Sequence, residues 1–386
     1  MKKTKQILRI AFIMVSIGSL FFVPWILVRA WLAPLPGTVR QQVNEAVDYG
    51  LDGIIVYVDQ AGKPPALYAA GWKNRENKVP ADSHALFKIA SISKLYIAAA
   101  TVKLINSKRL SLNDTLAGLL PELAGRIENS NKITLRMLLQ HRSGIPDWIN
   151  SPAFPWHNPP TDVNKVLALV LDKPSEFYPD SRYQYSNTNY LLIGKILDRT
   201  LGYSHHQYIK NEILSPLGLT HTYSLLSEVD TTKVVSGYDS HYEGDVKSLD
   251  FVAPGGSMVA TAEDVGKFLK ALNKGTLLNE KEQGIYSSVY KYEHTGLLPG
   301  YQSIARYNKD IDAVVIQFVN TSGGKMWNLS EIIYNKIIKI LSRKQKALTT
   351  VNTTSYVSGR EGTVVHLGLP MVYGRHDNLS VSAGHP

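Results

Sequence analysis

The sequence predicts an α+β fold: an α/β sandwich in which an antiparallel sheet, built from N- and C-terminal segments, is flanked by helices and carries an inserted all-helical subdomain. Three patterns predict it. Runs with strand character occur early, at residues 53–59 and 66–72, and again late, at 292–295, 302–307 and 313–320. Residues 91–105 read as a helix that is apolar around nearly its whole circumference, which requires burial on most sides. Between these lies a block over about 110–232 with helical periodicity broken by proline-rich loops.

The elements follow in order. Lys2, Lys3, Lys5 and Arg9 precede an unbroken apolar run over 10–28, closed by Arg29. At about 1.5 Å per residue that run reaches roughly 28 Å, close to the thickness of a hydrocarbon core. Positive charge ahead of it places the N-terminus in the cytoplasm. Residues 1–33 are therefore expected to be an uncleaved, single-pass anchor in the cytoplasmic membrane, with the rest of the chain periplasmic or at the cell surface. The linker Pro34-Leu35-Pro36-Gly37 opens a domain expected over 34–345. A helix over 38–49 leads to the first two strands, joined through Gly62, Pro64 and Pro65 as a hairpin.

In the helical block, 134–141 has a Thr134 cap and ends before Ser143-Gly144, while 162–171 and 189–201 follow, the latter closed by Gly202. Thr261-Ala262-Glu263-Asp264 is a capping sequence for a helix to 273, and a final amphipathic helix spans 326–341. Residues 346–386 are polar and aperiodic, and are expected to be a disordered tail.

Composition excludes several chemistries. There is no cysteine, hence no disulfide framework, thiolate zinc site, thiol nucleophile or lipid-modified cysteine. The formal charge is +10, but six of those charges lie within residues 1–44 and leave +4 for the rest, with no nucleic-acid motif. The chain has no His-Glu-x-x-His for a metal and no Gly-x-Ser-x-Gly nucleophile elbow. No cofactor and no metal are expected.

What remains is a set of residues suited to nucleophilic catalysis. Ser91 and Lys94 form a Ser-x-x-Lys pair on one face of the apolar helix. The motif alone is weak, because it recurs at Ser322–Lys325 in a glycine-rich segment that reads as a flexible linker. At Ser91 the context favours chemistry. Burial lowers a lysine's pKa, so Lys94 can accept a proton, and a helix N-terminus offers N–H groups to an oxyanion. The same two residues also fit an N-cap serine with an incidental lysine. Tyr185-Ser186-Asn187 is the single Tyr-x-Asn of the chain. A tyrosine beside an ammonium has its phenolate favoured and can shuttle a proton, while an asparagine can both donate to and accept from a substrate amide. His294-Thr295-Gly296 lies on a late strand, where a glycine permits close backbone approach and Leu297 can supply an oxyanion N–H.

The ordered set Ser91…Lys94, Tyr185…Asn187 and His294…Gly296 resembles the serine β-lactamase and penicillin-binding-protein superfamily, and its Tyr-x-Asn form resembles the class C-like branch. Further blocks carry the resemblance: Leu138 to Asp147 is similar to the family's Leu-Leu-x-His-x-Ser-Gly segment, Ile213 to Leu219 to its Pro-Leu-Gly block, and Gly255 to Asp264 to its Gly-Gly-x segment. The resemblance implies a β-lactamase/transpeptidase-like fold and no cofactor. It also implies acylation of Ser91 with Lys94 and Tyr185 as the base pair, Asn187 orienting the substrate amide, and the Ser91 and Leu297 N–H groups forming the oxyanion hole. Where many penicillin-recognising members carry Lys-Thr-Gly, this chain has His294-Thr295-Gly296. A histidine near its reference pKa is mostly neutral at pH 7 and binds a substrate carboxylate less well. The expected partners are a small peptide, amide or ester substrate and the membrane, with no nucleic acid. The expected activity is hydrolysis of D-amino-acid peptides of the DD-carboxypeptidase kind or related amides. The alternatives are a carboxylesterase of the same fold, a class C-like β-lactamase, and a non-catalytic cell-wall-binding or sensory module.

Overall fold

The computed structural model of the protein describes residues 21–358 and, before them, positions 5, 6, 12, 14, 15, 18 and 19. Six antiparallel strands form the main sheet. In chain order they are β1 (Gly53–Gln60), β2 (Ala66–Asn74), β3 (Val79–Pro80), β4 (His294–Leu298), β5 (Tyr301–Asn308) and β6 (Ala313–Val319), and their spatial order is β3-β2-β1-β6-β5-β4. The two ends of the chain meet at the centre, where β1 pairs with β6 from Ile54 opposite Val319 to Gln60 opposite Ala313. The α+β sandwich expected from the sequence is the observed architecture.

Strand alternation builds a core on each face. Ile55 and Tyr57 of β1, with Val314, Ile316 and Phe318 of β6, face the larger core, which contains the helical block. Ile54, Val56 and Val58, with Val315 and Val319, face the smaller one. Helices α1 (Trp25–Leu32), α2 (Val39–Asp48) and the early part of α6 (Met326–Ser358) cover that second face. On the first face, α3 (Ser93–Asn106) is buried from Ser93 through Val102, as its unbroken apolar surface requires. It packs near α4 (Asn187–Leu201) and α5 (Ala262–Lys274). Gly266 of α5 lets Tyr57 lie against the helix backbone, since a Cβ there would meet the Tyr57 ring at 2.2 Å.

The N-terminal segment differs from expectation. Among the described residues no helix is long and apolar enough to cross a membrane. A turn at 21–23 and Pro24 precede α1, which has 8 residues and so reaches only about 12 Å. Of the apolar run over 10–28, Ile26 and Leu27 pack against the second core, in which Ala30 just beyond the run is buried, while Phe21, Phe22 and Trp25 are exposed. Lys336 Nζ donates to the Ala33 carbonyl at 3.0 Å, and Arg29 lies 5.8 Å from the Tyr49 ring centroid. The single-pass anchor, the membrane as a partner and the extracytoplasmic localisation drawn from it are therefore corrected. Hydropathy alone does not distinguish apolar side chains that pack on a protein core from those that face lipid, nor does it show where a turn interrupts the helix.

Contacts divide the chain into a compact unit, Met1–Ser342, and a second, Arg343–Pro386. Within the tail expected to be disordered over 346–386, α6 continues as helix to Ser358, and residues 359–386 lie outside the described residues. The docking of α1 is testable. Ala30→Glu would force a carboxylate into the second core and should cost about 2 kcal/mol, read as a lower urea midpoint. An unchanged midpoint would show that α1 is not packed there.

Candidate active site

Ser91 does not open the long helix, as the sequence suggested. It sits in a 3₁₀ turn, Ala90–Ile92, immediately before α3. Ala90 holds φ at +51°, a left-handed conformation costly for a residue with a Cβ. The turn is pinned by its neighbours. Ser93 Oγ donates to the Ala90 carbonyl at 2.6 Å and accepts the Met258 N–H at 3.2 Å, while Ile89 N–H donates to the Met258 carbonyl at 3.0 Å. Edge strand β4 presses on the same turn through Gly296, where an added Cβ would lie 2.4 Å from the Ile89 carbonyl and 2.9 Å from Ala90 Cβ. The glycine of His-Thr-Gly thus serves close approach to the serine turn.

One turn on, Lys94 is fully buried. Its ammonium donates to Ser91 Oγ at 3.1 Å, Asn187 Oδ1 at 2.8 Å and the Gly255 carbonyl at 2.8 Å. Those three acceptors match the three donors of an ammonium. A neutral amine would keep the Asn187 and Gly255 bonds and turn its lone pair to the serine hydroxyl. Burial lowers the Lys94 pKa to about 7, opposed by the Asp147 carboxylate. Gly255 is needed for this carbonyl to reach the amine: its φ is +85°, and a Cβ there would sit 2.7 Å from Tyr190 Cβ and 3.0 Å from Lys94 Cγ.

Tyr185 OH donates to Ser91 Oγ at 3.0 Å. The expectation that its phenolate is favoured meets a stronger effect. Burial raises the Tyr185 pKa well above that of a free phenol, and the hydrogen bond with Ser91 only partly opposes the rise. The hydroxyl is therefore protonated. The ring lies 4.4 Å from that of His141 at a tilt of 32°; His141 accepts the Ser186 N–H at 3.3 Å, and burial lowers its pKa to about 3. His141 is neutral and buries the back of Tyr185. Its Leu-Leu-x-His-x-Ser-Gly setting was visible in sequence, but this contact was not.

Asn187 is the first residue of α4, which starts two positions before the helix expected over 189–201. Its Oδ1 receives Lys94, and its Nδ2 donates to Asp147 Oδ2 at 2.9 Å. Sequence reasoning missed Asp147, which lies 40 positions from Asn187 and is buried beside it. His294 is 4% exposed, engages the Thr295 carbonyl through Nδ1 and the Tyr290 hydroxyl at 2.9 Å through Nε2, and is held neutral chiefly by burial. Thr295 and Leu297 line the same cavity, with Leu297 exposed. That cavity, about 560 Å³, is bordered by Ser91, Asp147, Tyr185, Asn187 and His294, with Trp148, Phe251 and Leu298 forming apolar wall. A cleft of about 620 Å³ between Ser204 and Glu228 shares no lining residue with it.

All eight residues singled out from the sequence lie in this one region, with Lys94 beneath the cavity floor. The Ser-x-x-Lys at Ser322–Lys325 does not resemble it. Ser322 is buried in a short strand, not a linker, where it donates to Asp239 and accepts the Gly300 N–H at 2.7 Å. A serine hydroxyl between a low-pKa amine and a protonated phenol can be deprotonated on one side and can pass a proton on the other.

Comparisons with known proteins agree with this geometry. The chain is 27% identical over 241 residues to Protein flp of Staphylococcus aureus (strain N315), covering 60% of this chain and 48% of that protein, so it spans about half the length of the curated relatives it first matches. It is 25% identical over 302 residues to PbpX of Bacillus subtilis (strain 168), covering 71% of each. The crystal structure of D-amino acid amidase from Ochrobactrum anthropi SV3, complexed with L-phenylalanine amide, superposes with a TM-score of 0.70 at 21% identity over 80% of this chain and 98% of that one, a likeness of fold. The Beta-lactamase family profile matches residues 38–291. With the candidate residues gathered around one cavity and about two-thirds of its length matched by that profile, the chain belongs to the Beta-lactamase family.

Proposed function

We propose that this β-lactamase-fold serine hydrolase cleaves amide bonds of D-amino-acid amides and D-peptides through an acyl-enzyme on Ser91. One observation carries the proposal: Ser91 Oγ lies 3.1 Å from an amine with a pKa of about 7 and 3.0 Å from a protonated tyrosine. Neutral Lys94 takes the Ser91 proton as Oγ attacks the substrate carbonyl. The oxyanion is met by the N–H groups of Ser91 and Leu297. As the C–N bond breaks, Tyr185 gives its proton to the leaving amine, which leaves a transient phenolate to take the proton of the incoming water and a Lys94 ammonium to reprotonate Ser91 Oγ when it departs. Water then attacks the ester by the reverse proton path and frees the acid. Positioned proton transfer of this kind contributes about 10²–10⁴-fold.

The substrate class follows from charge. A neutral, hydrogen-bonded His294 offers no cation for a carboxylate, and burial lowers the pKa of Lys291, the lysine that lines the cavity, which weighs against efficient β-lactam hydrolysis. The amidase of similar fold supports amides. The apolar wall of Trp148, Phe251 and Leu298 supports a second reading, a carboxylesterase acting on apolar acyl groups by the same steps.

A panel of D-phenylalanine amide, a D-Ala-D-Ala peptide, p-nitrophenyl butyrate and fluorescent penicillin separates these. The amides should turn over fastest and penicillin slowest, with preference for the butyrate ester selecting the second reading. Ser91→Ala should abolish all turnover and every covalent adduct; full activity in that variant would remove Ser91 as nucleophile. The pH dependence has a definite sign. Lys94 must be neutral, so kcat/KM should be low in acid and rise through a midpoint near pH 7. His141 titrates near 3 and His294 well below its ordinary value, so neither adds a limb above that range. A rate independent of pH from 5 to 9 would exclude Lys94 as the base.

A further inference from the structure

Asp147 shares the catalytic cavity but has no part in the proton path above. Its carboxylate is buried, and its contacts point at one neighbour. Oδ2 accepts the Asn187 side-chain amide at 2.9 Å, the Asn187 backbone N–H also bonds to the carboxylate, and Oδ1 accepts the Ile149 N–H at 3.4 Å. Asn187 opens the 15-residue helix α4, so the carboxylate also sits at the positive end of that helix. The two segments are sewn together around this contact. Trp148 N–H donates to Thr188 Oγ1 at 3.1 Å, Thr188 Oγ1 donates to the Pro146 carbonyl at 2.7 Å, and Ser143 Oγ donates to Asn189 Oδ1 at 2.6 Å.

An asparagine amide can be turned by 180° with little change in shape, which exchanges its acceptor and donor. Only one orientation suits Lys94, whose Nζ needs the Asn187 oxygen. An acceptor-only carboxylate on the far side enforces that orientation, because the flipped amide would set two oxygens against each other and two nitrogens against each other. We infer that Asp147 is a positioning residue: its buried carboxylate locks the Asn187 amide so that its oxygen faces Lys94, and supplies the negative charge against which the Lys94 ammonium forms during acylation. This rests on the proposed role of Lys94 as the base for Ser91.

The charged and titratable groups around Lys94 make the expected pH effect definite. Asp147 is the carboxylate acting on it, Lys291 is a cation within electrostatic reach, His141 and His294 are neutral, and the Tyr185 and Tyr190 rings lie 5.0 and 5.6 Å from Nζ. Removing the Asp147 charge leaves the ammonium less favoured, so Lys94 titrates lower.

Asp147 also caps the 3₁₀ turn Trp148–Asn150, and a cap alone would explain its burial. Asparagine caps as well as aspartate, so Asp147→Asn separates the two roles. The test uses the full chain and follows both labelling of Ser91 by a fluorophosphonate probe and amide turnover against pH, with thermal melting to confirm folding. Asp147→Asn should melt near the parent, lose at least about tenfold in labelling rate and kcat with little change in KM, and show its acid limb moved about one pH unit downward. Asp147→Ser, which can still cap but is too short to reach Asn187, should show the same loss. Parental rates and an unmoved acid limb in Asp147→Asn would overturn the inference, leaving Asp147 as a cap. If Ser91→Ala is labelled as fast as the parent, the reading of Ser91 fails instead, and the two failures are distinct.

Discussion

The site depends on the burial of one lysine. Lys94 lies within a helix that is enclosed on all sides, and an ammonium there loses most of its hydration. The fold compensates with three oxygens at hydrogen-bond distance, one from the serine turn, one from the start of α4 and one from the loop before α5. Those oxygens bring together segments 161 positions apart in the chain. The compensation is incomplete, which is why the proton is weakly held and why the amine suits a base. A better-solvated lysine would stay charged, and one without acceptors would destabilise the fold.

Much of the surrounding architecture can be derived from that requirement. Gly255 must lack a side chain for its carbonyl to reach the amine. Gly296 must lack one for the edge strand to press on the turn that presents Ser91. Tyr185 must be held against Ser91 and kept protonated although Lys94 lies 5.0 Å from its ring, and burial against the neutral His141 meets that condition. The sheet joins the chain's two ends at β1 and β6, which places β4 from late in the sequence beside Ser91 from early in it.

The strands were legible because their alternation serves two different cores, and α3 was legible because it is apolar all round. The candidate residues were legible as an ordered set of motifs, and the structure gathers them around one cavity. What failed were properties set by surroundings. Composition alone could not say whether Ile26, Leu27 and Ala30 face lipid or the second core. It suggested a tyrosinate beside Lys94, where burial of the ring outweighs the nearby cation. It read glycines after Ser322 as a linker, although that serine is buried beside Asp239. The contact of Asp147 with Asn187 joins distant parts of the chain, and no local pattern announces it.

The most direct test of this account is the titration of Lys94 itself, followed by NMR of the lysine side-chain Cε–Hε signals and assigned by their loss in Lys94→Met. A midpoint near pH 7 would agree with a desolvated amine held ready to accept the Ser91 proton. A Lys94 that remains protonated up to the ordinary lysine range, about 10.4, would contradict it.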